Sequence, residues 1–147
     1  MNEFFIERTE DPHEIERAIR LCDSSFPVGI CNRDDFDEIF EKISKYAEVY
    51  VAYENDTICG YAAMYNNDAQ NACAYITMIG VREEWQRNHI GRELMNICIR
   101  RAKENQMVAI RLEVFKSNSK AIGFYERMGF RYERDCTQDS NYMRLNL

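Results

Sequence analysis

The stretch Met78-Ile-Gly-Val-Arg-Glu-Glu-Trp-Gln-Arg-Asn-His-Ile-Gly-Arg92 runs out of an apolar strand, through a polar loop, into a helix. A strand that feeds a helix N-terminus through a glycine makes an anion site. The first backbone N–H groups of a helix have no partner within it, and the helix dipole adds partial positive charge at the same end. A phosphate or pyrophosphate would satisfy both. Taken alone, Gly91 fits a tight turn as well as a cofactor site. The loop lacks the Lys-Ser/Thr ending of a phosphate-binding P-loop and the three-glycine dinucleotide fingerprint, which strikes out both nucleotide classes.

Downstream, a helix is expected from Ile90 to about Asn105, with Ile90, Leu94, Ile97, Cys98 and Ala102 as its apolar stripe. Val108 to Phe115 follows as a strand, and the right-handed crossover rule places it parallel to the strand ending at Val81. Ser119 to Met128 reads as a helix stopped by a left-handed cap at Gly129, and Phe130–Arg134 and Asn141–Leu147 as a closing pair of strands.

Upstream, Phe4–Arg8 reads as a first strand, and Asp11-Pro-His-Glu14 supplies an N-cap, a first-turn proline and a capping-box glutamate. Two amphipathic helices follow, carried by Ile15, Ala18, Ile19 and Cys22 and by Phe36, Ile39, Phe40 and Ile43. Between them, Pro27 and Gly29 interrupt both. Val49–Tyr53 and Thr57–Tyr65 make a hairpin, and Ala72–Val81 is the third antiparallel strand. The expectation is one α/β domain over residues 1–147, with a mixed, mostly antiparallel sheet of about seven strands and about four helices, in the order β-α-α-β-β-β-α-β-α-β-β.

Composition bounds the function. A chain of 147 residues with 46% hydrophobic content can bury one sizeable core, and no apolar run approaches the roughly 18 residues of a membrane span. The expected location is the cytoplasm, with no membrane partner, as a monomer or homodimer. A net charge of −6 argues against binding a nucleic-acid backbone and suits a cationic amine. Six cysteines without a Cys-x-x-Cys pair and only two histidines give a metal site or a histidine triad little material.

The partner of the opening stretch is Ser117-Asn-Ser-Lys-Ala-Ile-Gly-Phe-Tyr-Glu-Arg-Met-Gly-Phe130. Through Gln86 and Gly91 in the first segment, and Asn118, Ala121, Phe124, Tyr125, Gly129 and Phe130 in the second, the sequence resembles the GNAT superfamily of N-acetyltransferases. The element order matches that fold over nearly the whole chain, most strongly from Tyr75 to Arg131. The resemblance implies acetyl-CoA as cosubstrate and a primary amine as acceptor, with direct attack in a ternary complex and no metal. It also implies that Gln86-Arg87-Asn88-His89-Ile90-Gly91 wraps the pyrophosphate with backbone N–H groups, although His89 stands where the family has a glycine. Arg87 and Arg92 flank the loop. The pantetheine arm is expected at the main chain near Ile79 and Val81, and at Asn118, which also caps its helix.

Moving an acyl group to an amine needs a base, an oxyanion donor and a proton for the departing thiolate. Alternation along 108–115 puts Ile110, Leu112 and Val114 on one face, and Arg111 and Glu113 on the other. Glu113 is therefore either the base or the ion-pair partner of Arg111. Leu112-Glu-Val-x-x-Ser-Asn118 looks like the run in ribosomal-protein alanine N-acetyltransferases, whose matching glutamate is the base, and Tyr125 matches the family's proton donor. Tyr75, expected on one face with Thr77 and Ile79, is a secondary acceptor-side residue. Phe26 and Val28 lie in a loop resembling the peptide-holding loop of N-terminal acetyltransferases. A protein or peptide N-terminus is thus the first expectation for the acceptor; an amino sugar, polyamine or amino acid is the alternative, and a CoA-binding domain without turnover the rival.

Overall fold

The computed structural model describes residues 3–147. The chain runs β1 (Phe5–Thr9), α1 (Pro12–Cys22), α2 (Phe36–Tyr46), β2 (Ala47–Glu54), β3 (Thr57–Tyr65), β4 (Cys73–Val81), α3 (Ile90–Glu104), β5 (Ala109–Phe115), α4 (Ser119–Arg127), β6 (Arg131–Asp135) and β7 (Ser140–Asn146). The expected order holds, with boundaries moved by a residue or two. The strands form one sheet in the order β1-β2-β3-β4-β5-β7-β6. Among the described residues only β4 and β5 pair in parallel, as the helical crossover between them requires.

Helices cover the two faces unequally, and that asymmetry creates the site. On one face, α3 and α4 pack Leu94, Met95, Cys98 and Tyr125 against Met64, Ile76, Ile110 and Leu112. On the other, α1 and α2 bring Ile15, Ile19 and Ile43 onto Val49, Val51 and Tyr61 of β2 and β3. Each fully buried aliphatic side chain contributes about 1.5–3 kcal/mol. β2 and β3 are therefore buried on both faces. β5 is not: Ile110, Leu112 and Val114 are buried while Glu113 and Phe115 are exposed.

Three local expectations are corrected. At α1, the Asp11 carboxylate accepts from the His13 N–H at 3.0 Å, so the N-cap forms. The reciprocal capping-box bond does not, because the Glu14 carboxylate accepts from Arg17 at 2.6 Å and from the Tyr53 hydroxyl. In α3 the buried stripe takes in Met95, and Ile97 lies only half-buried at its margin. In β4 a bulge intervenes. Pairing with β3 steps from Met64↔Ile76 to Ala63↔Met78, which leaves Thr77 unpaired and flips the alternation beyond it. Ile79 and Val81 accordingly pack on the α3 side, whereas Met78 joins the core under α1 and α2. Tyr75 does not share a face with Ile79.

Candidate active site

Parallel pairing of β4 with β5 starts at Cys73↔Ala109 and stops at Ile76↔Leu112. Past the Thr77 bulge the two strands part, and the end of β4 opens away from Glu113, Val114 and Phe115. The loop after β4 is stapled at its start. The Arg82 N–H donates to the Cys59 carbonyl at 2.7 Å, its guanidinium lies 5.1 Å over the Trp85 ring, and the indole N–H reaches the Glu54 carboxylate at 3.2 Å.

The rest of the loop holds its amides free. Arg87 and His89 have left-handed backbones, with φ of 78° and 64°. Left-handed residues at a helix N-terminus can turn neighbouring N–H groups toward one concavity, a geometry that binds anions. Among the described residues, none of the backbone N–H groups from Arg87 to Arg92 has an acceptor outside α3. His89, the N-cap residue of α3, offers no side-chain cap and its ring is exposed. The residue that departs from the glycine pattern thus adopts the conformation glycine takes freely, at a cost of about 1–2 kcal/mol for an L-residue. Part of that gain would be offset by the greater freedom of glycine in the unfolded chain. His89→Gly is expected to raise the melting temperature by about 1–3 °C, read by calorimetry. A lower melting temperature would show that the imidazole makes a stabilising contact.

The other loop residues divide by exposure. Arg87 and Arg92 are exposed, and the nearest carboxylate to Arg92 is Glu93 at 3.9 Å. Asn88 is half-buried and Ile90 is part of the core. Gln86 bridges the mouth: its amide donates to the Val81 carbonyl at 2.9 Å and accepts from the Lys120 ammonium at 2.6 Å. The Val81 carbonyl keeps a second lone pair. At Gly91 a Cβ would stand 3.6 Å from the Phe124 ring and 3.8 Å from Val81 Cγ2, room for a methyl group and little more. Asn118 caps α4, its Oδ1 accepting from the Ala121 N–H at 3.2 Å.

Tyr125 projects from α4 into the core between the rings of Phe124 and Phe130, with centroids at 5.6 and 5.9 Å. Burial pushes its phenol up to about 12. Among the described residues its hydroxyl has no hydrogen-bond partner. It is thus a protonated donor across the physiological range.

On the uncovered face of β5, the pairing of Arg111 with Glu113 is not found. Arg111 makes a two-pronged bond to Glu133, at 2.7 and 3.0 Å. Glu133, from the irregular step of β6, draws in Arg134 and Arg144 as well, each at 3.9 Å. Glu113 instead accepts from the Ser140 hydroxyl at 2.6 Å through Oε2. Tyr75, opposite Arg111 across the parallel ladder, is raised by burial and by the nearby Glu113 charge. Tyr142 stands opposite Glu113, with the guanidiniums of Arg111 and Arg134 at 5.4 and 5.0 Å from its ring.

The loop between α1 and α2 closes this region. Phe26 lies directly on Gly80, where a Cβ would come within 2.6 Å of its ring, and meets Tyr61 edge-on at 6.3 Å. Asp23 holds the loop: its carboxylate accepts from the N–H groups of Ile30 and Cys31 at 2.8 and 3.3 Å. Val28, 62% exposed, projects from the tip. Asp23, Ser140 and Tyr142 escaped the sequence reading. Only the Asp23 site carried a local signal, an Asp-Ser-Ser run just past the end of a helix.

Residues 13–130 match the model of the acetyltransferase (GNAT) family. N-alpha-acetyltransferase 50 of Danio rerio is 32% identical over 124 residues, which cover 81% of this chain and 70% of that protein. Among solved structures, the ribosomal-protein-S18-alanine N-acetyltransferase from Escherichia coli superposes with a TM-score of 0.77 at 20% identity, covering 98% of this chain and 94% of that one. PaiA N-acetyltransferase from Thermoplasma acidophilum, solved in complex with coenzyme A, gives 0.77 at 16% identity, with 99% of each chain covered. The sequence match, the bulged fourth strand parting from the fifth and the loop of free amides agree: this chain is an acyltransferase and belongs to the GNAT family of acetyltransferases.

Proposed function

We propose that this enzyme transfers acetyl from acetyl-CoA to the α-amine of a peptide or protein N-terminus, by direct attack with both substrates bound. The observation that carries the reading is Glu113. It stands on the uncovered face of β5 where β4 departs, with Oε1 unpaired among the described residues and Arg111 already neutralised by Glu133. That leaves the carboxylate available to an amine. The 32% identity to an N-alpha-acetyltransferase supports the same acceptor class.

Coenzyme A supplies the activated acyl group. The free amides of Arg87, Asn88, His89, Ile90 and Gly91, with the side chains of Gln86, Arg87 and Arg92 beside them, suit its phosphates. The main chain of Ile79 and Val81, together with Asn118, suits the arm that reaches into the opening. Glu113 Oε1 takes a proton from the substrate ammonium and frees the lone pair that forms the C–N bond. The bonded nitrogen, now cationic, loses its second proton to solvent as the C–S bond breaks; the Tyr125 hydroxyl gives its proton to sulfur and regains one from solvent, and the proton on Glu113 also passes to solvent. Phe26, Val28 and Tyr75 line the acceptor side. A thiol intermediate has poor support here, since burial holds Cys98, in the core, up at about 12.

The test is acetyl-CoA turnover, read as released thiol, over a panel of short peptides, amino sugars, polyamines and free amino acids. A peptide should lead the best small amine by roughly tenfold or more in kcat/KM, because extended contacts with the α1–α2 loop add binding energy that small amines lack. A small amine in the lead would overturn the acceptor assignment. Acetyl-CoA binding without turnover on any amine would overturn the proposed chemistry.

A further inference from the structure

Ser140 is wholly buried at the first position of β7. A buried hydroxyl is costly unless its hydrogen bonds are made, so its partners carry information. Two are present: Glu113 Oε2 at 2.6 Å and Thr137 Oγ1 at 2.8 Å. An ionised carboxylate can only accept, and a hydroxyl has one hydrogen to give. Ser140 therefore donates to Glu113 and accepts from Thr137. Thr137 in turn accepts from the Asp139 N–H at 3.1 Å. The hydrogen bonds run in one direction, from the turn between β6 and β7 to the Glu113 carboxylate.

That turn is rigid. The Ser140 carbonyl accepts from the N–H groups of Cys136 and Thr137 at 2.9 and 3.2 Å, and the Lys116 N–H binds the Asp139 carbonyl at 2.8 Å, tying the turn to the end of β5. An exposed glutamate on an uncovered strand face would otherwise sample several rotamers. Here one oxygen is held by a buried hydroxyl on a turn bonded to the end of β5, and the other is left for the substrate.

We propose that Ser140 is a positioning residue for the catalytic base, holding Glu113 through Oε2 so that Oε1 faces the amine. The proposal rests on the reading of Glu113 as base, and the test separates the two. Ser140→Ala should lower kcat roughly tenfold at neutral pH with the KM for acetyl-CoA unchanged, since misplacing a base is felt in the chemical step. Ser140→Cys, which keeps the side chain but offers only a weak donor, should fall between the two. In the Glu113→Gln background, Ser140→Ala should change kcat by less than about twofold, because a positioning residue has nothing left to position.

Equal kcat in Ser140→Ala and the native enzyme would overturn the proposal and leave the base in place. So would losses that multiply in the double variant, which mark a structural role. Native kcat in Glu113→Gln alone would overturn the base and the positioning role together.

Discussion

Tyr125→Phe is expected to lower kcat roughly 100- to 1,000-fold while leaving acetyl-CoA affinity and stability nearly unchanged. The hydroxyl has no internal hydrogen-bond partner among the described residues, and phenylalanine fills the same space between Phe124 and Phe130. Its removal therefore strands no polar group, and the melting temperature should hold within about 2 °C. What is lost is a proton donor needed only when the thiolate leaves, an interaction of the transition state, so kcat and kcat/KM fall together.

Taken against bulk-water values, the elevated phenol opposes this role. Against an unperturbed thiol near 8.5, a donor at about 12 would face an uphill transfer of about 5 kcal/mol. The comparison must be made inside the site. Burial raises the phenol because it penalises the phenolate, and the same surroundings penalise a thiolate and make it more basic. Donor and acceptor shift in the same direction, and the gap narrows. A further consequence is visible in the pH–rate profile: Tyr125 should produce no basic limb below about pH 11. An unchanged kcat in Tyr125→Phe would reduce the residue to core packing.

The elements were legible in the sequence because their signals are local. Ile15, Ala18, Ile19 and Cys22 repeat at helical spacing and all lie in the core. Gly129 at a helix end announces the positive φ that it adopts, 105°. The loop from Gln86 to Gly91 could be placed the same way, but the left-handed backbone at His89 was not read from the sequence, where the histidine stood only as a departure from glycine. Non-local pairing left no such trace. The Thr77 bulge adds one residue to β4 without any change in composition, so period-two reasoning carried Tyr75 and Ile79 onto one face. Glu133 lies 22 residues from Arg111 in the sequence, beyond the reach of any spacing argument, while Glu113, two residues away, had to stand as either base or ion-pair partner. Ser140 is a serine at a strand end, a residue type too common there to single out. Its meaning comes only from what the sheet order places beside it.

That correction sharpens the expected behaviour of Glu113→Gln. Because Arg111 is held by Glu133, the substitution leaves no cation unpaired, and the glutamine oxygen can still accept from Ser140. The melting temperature should stay within about 2 °C of the native protein's. Glu133→Gln is the contrasting variant. The Glu133 carboxyl is held below its ordinary value chiefly by its hydrogen bonds with Arg111. It contributes stability above the usual carboxylate range and loses it as pH falls through the lowered folded value. Glu133→Gln should therefore destabilise the protein at neutral pH, by about 1 kcal/mol for a pair still partly open to solvent, and flatten the acid side of its stability curve.

Activity should respond in the opposite order. Glu113→Gln should lose roughly 100- to 1,000-fold in kcat at pH 7, the scale of general base catalysis, whereas Glu133→Gln should retain most of it. The pH dependence of the residual activity then reports the acceptor. An α-amine with a pKa near 8 is about one-tenth neutral at pH 7, so raising the pH can restore at most about tenfold, complete by about pH 9. A lysine-like amine near 10.4 is neutral in only about one molecule in 2,500 at pH 7, and its rate would keep climbing beyond pH 10. A tenfold recovery that levels off by pH 9 supports both the base and an N-terminal acceptor. A climb continuing past pH 10 keeps the base and assigns an alkyl amine. A variant that melts several degrees lower with an unchanged profile would remove Glu113 from the chemistry, and the proton would then have to leave through water or Tyr75.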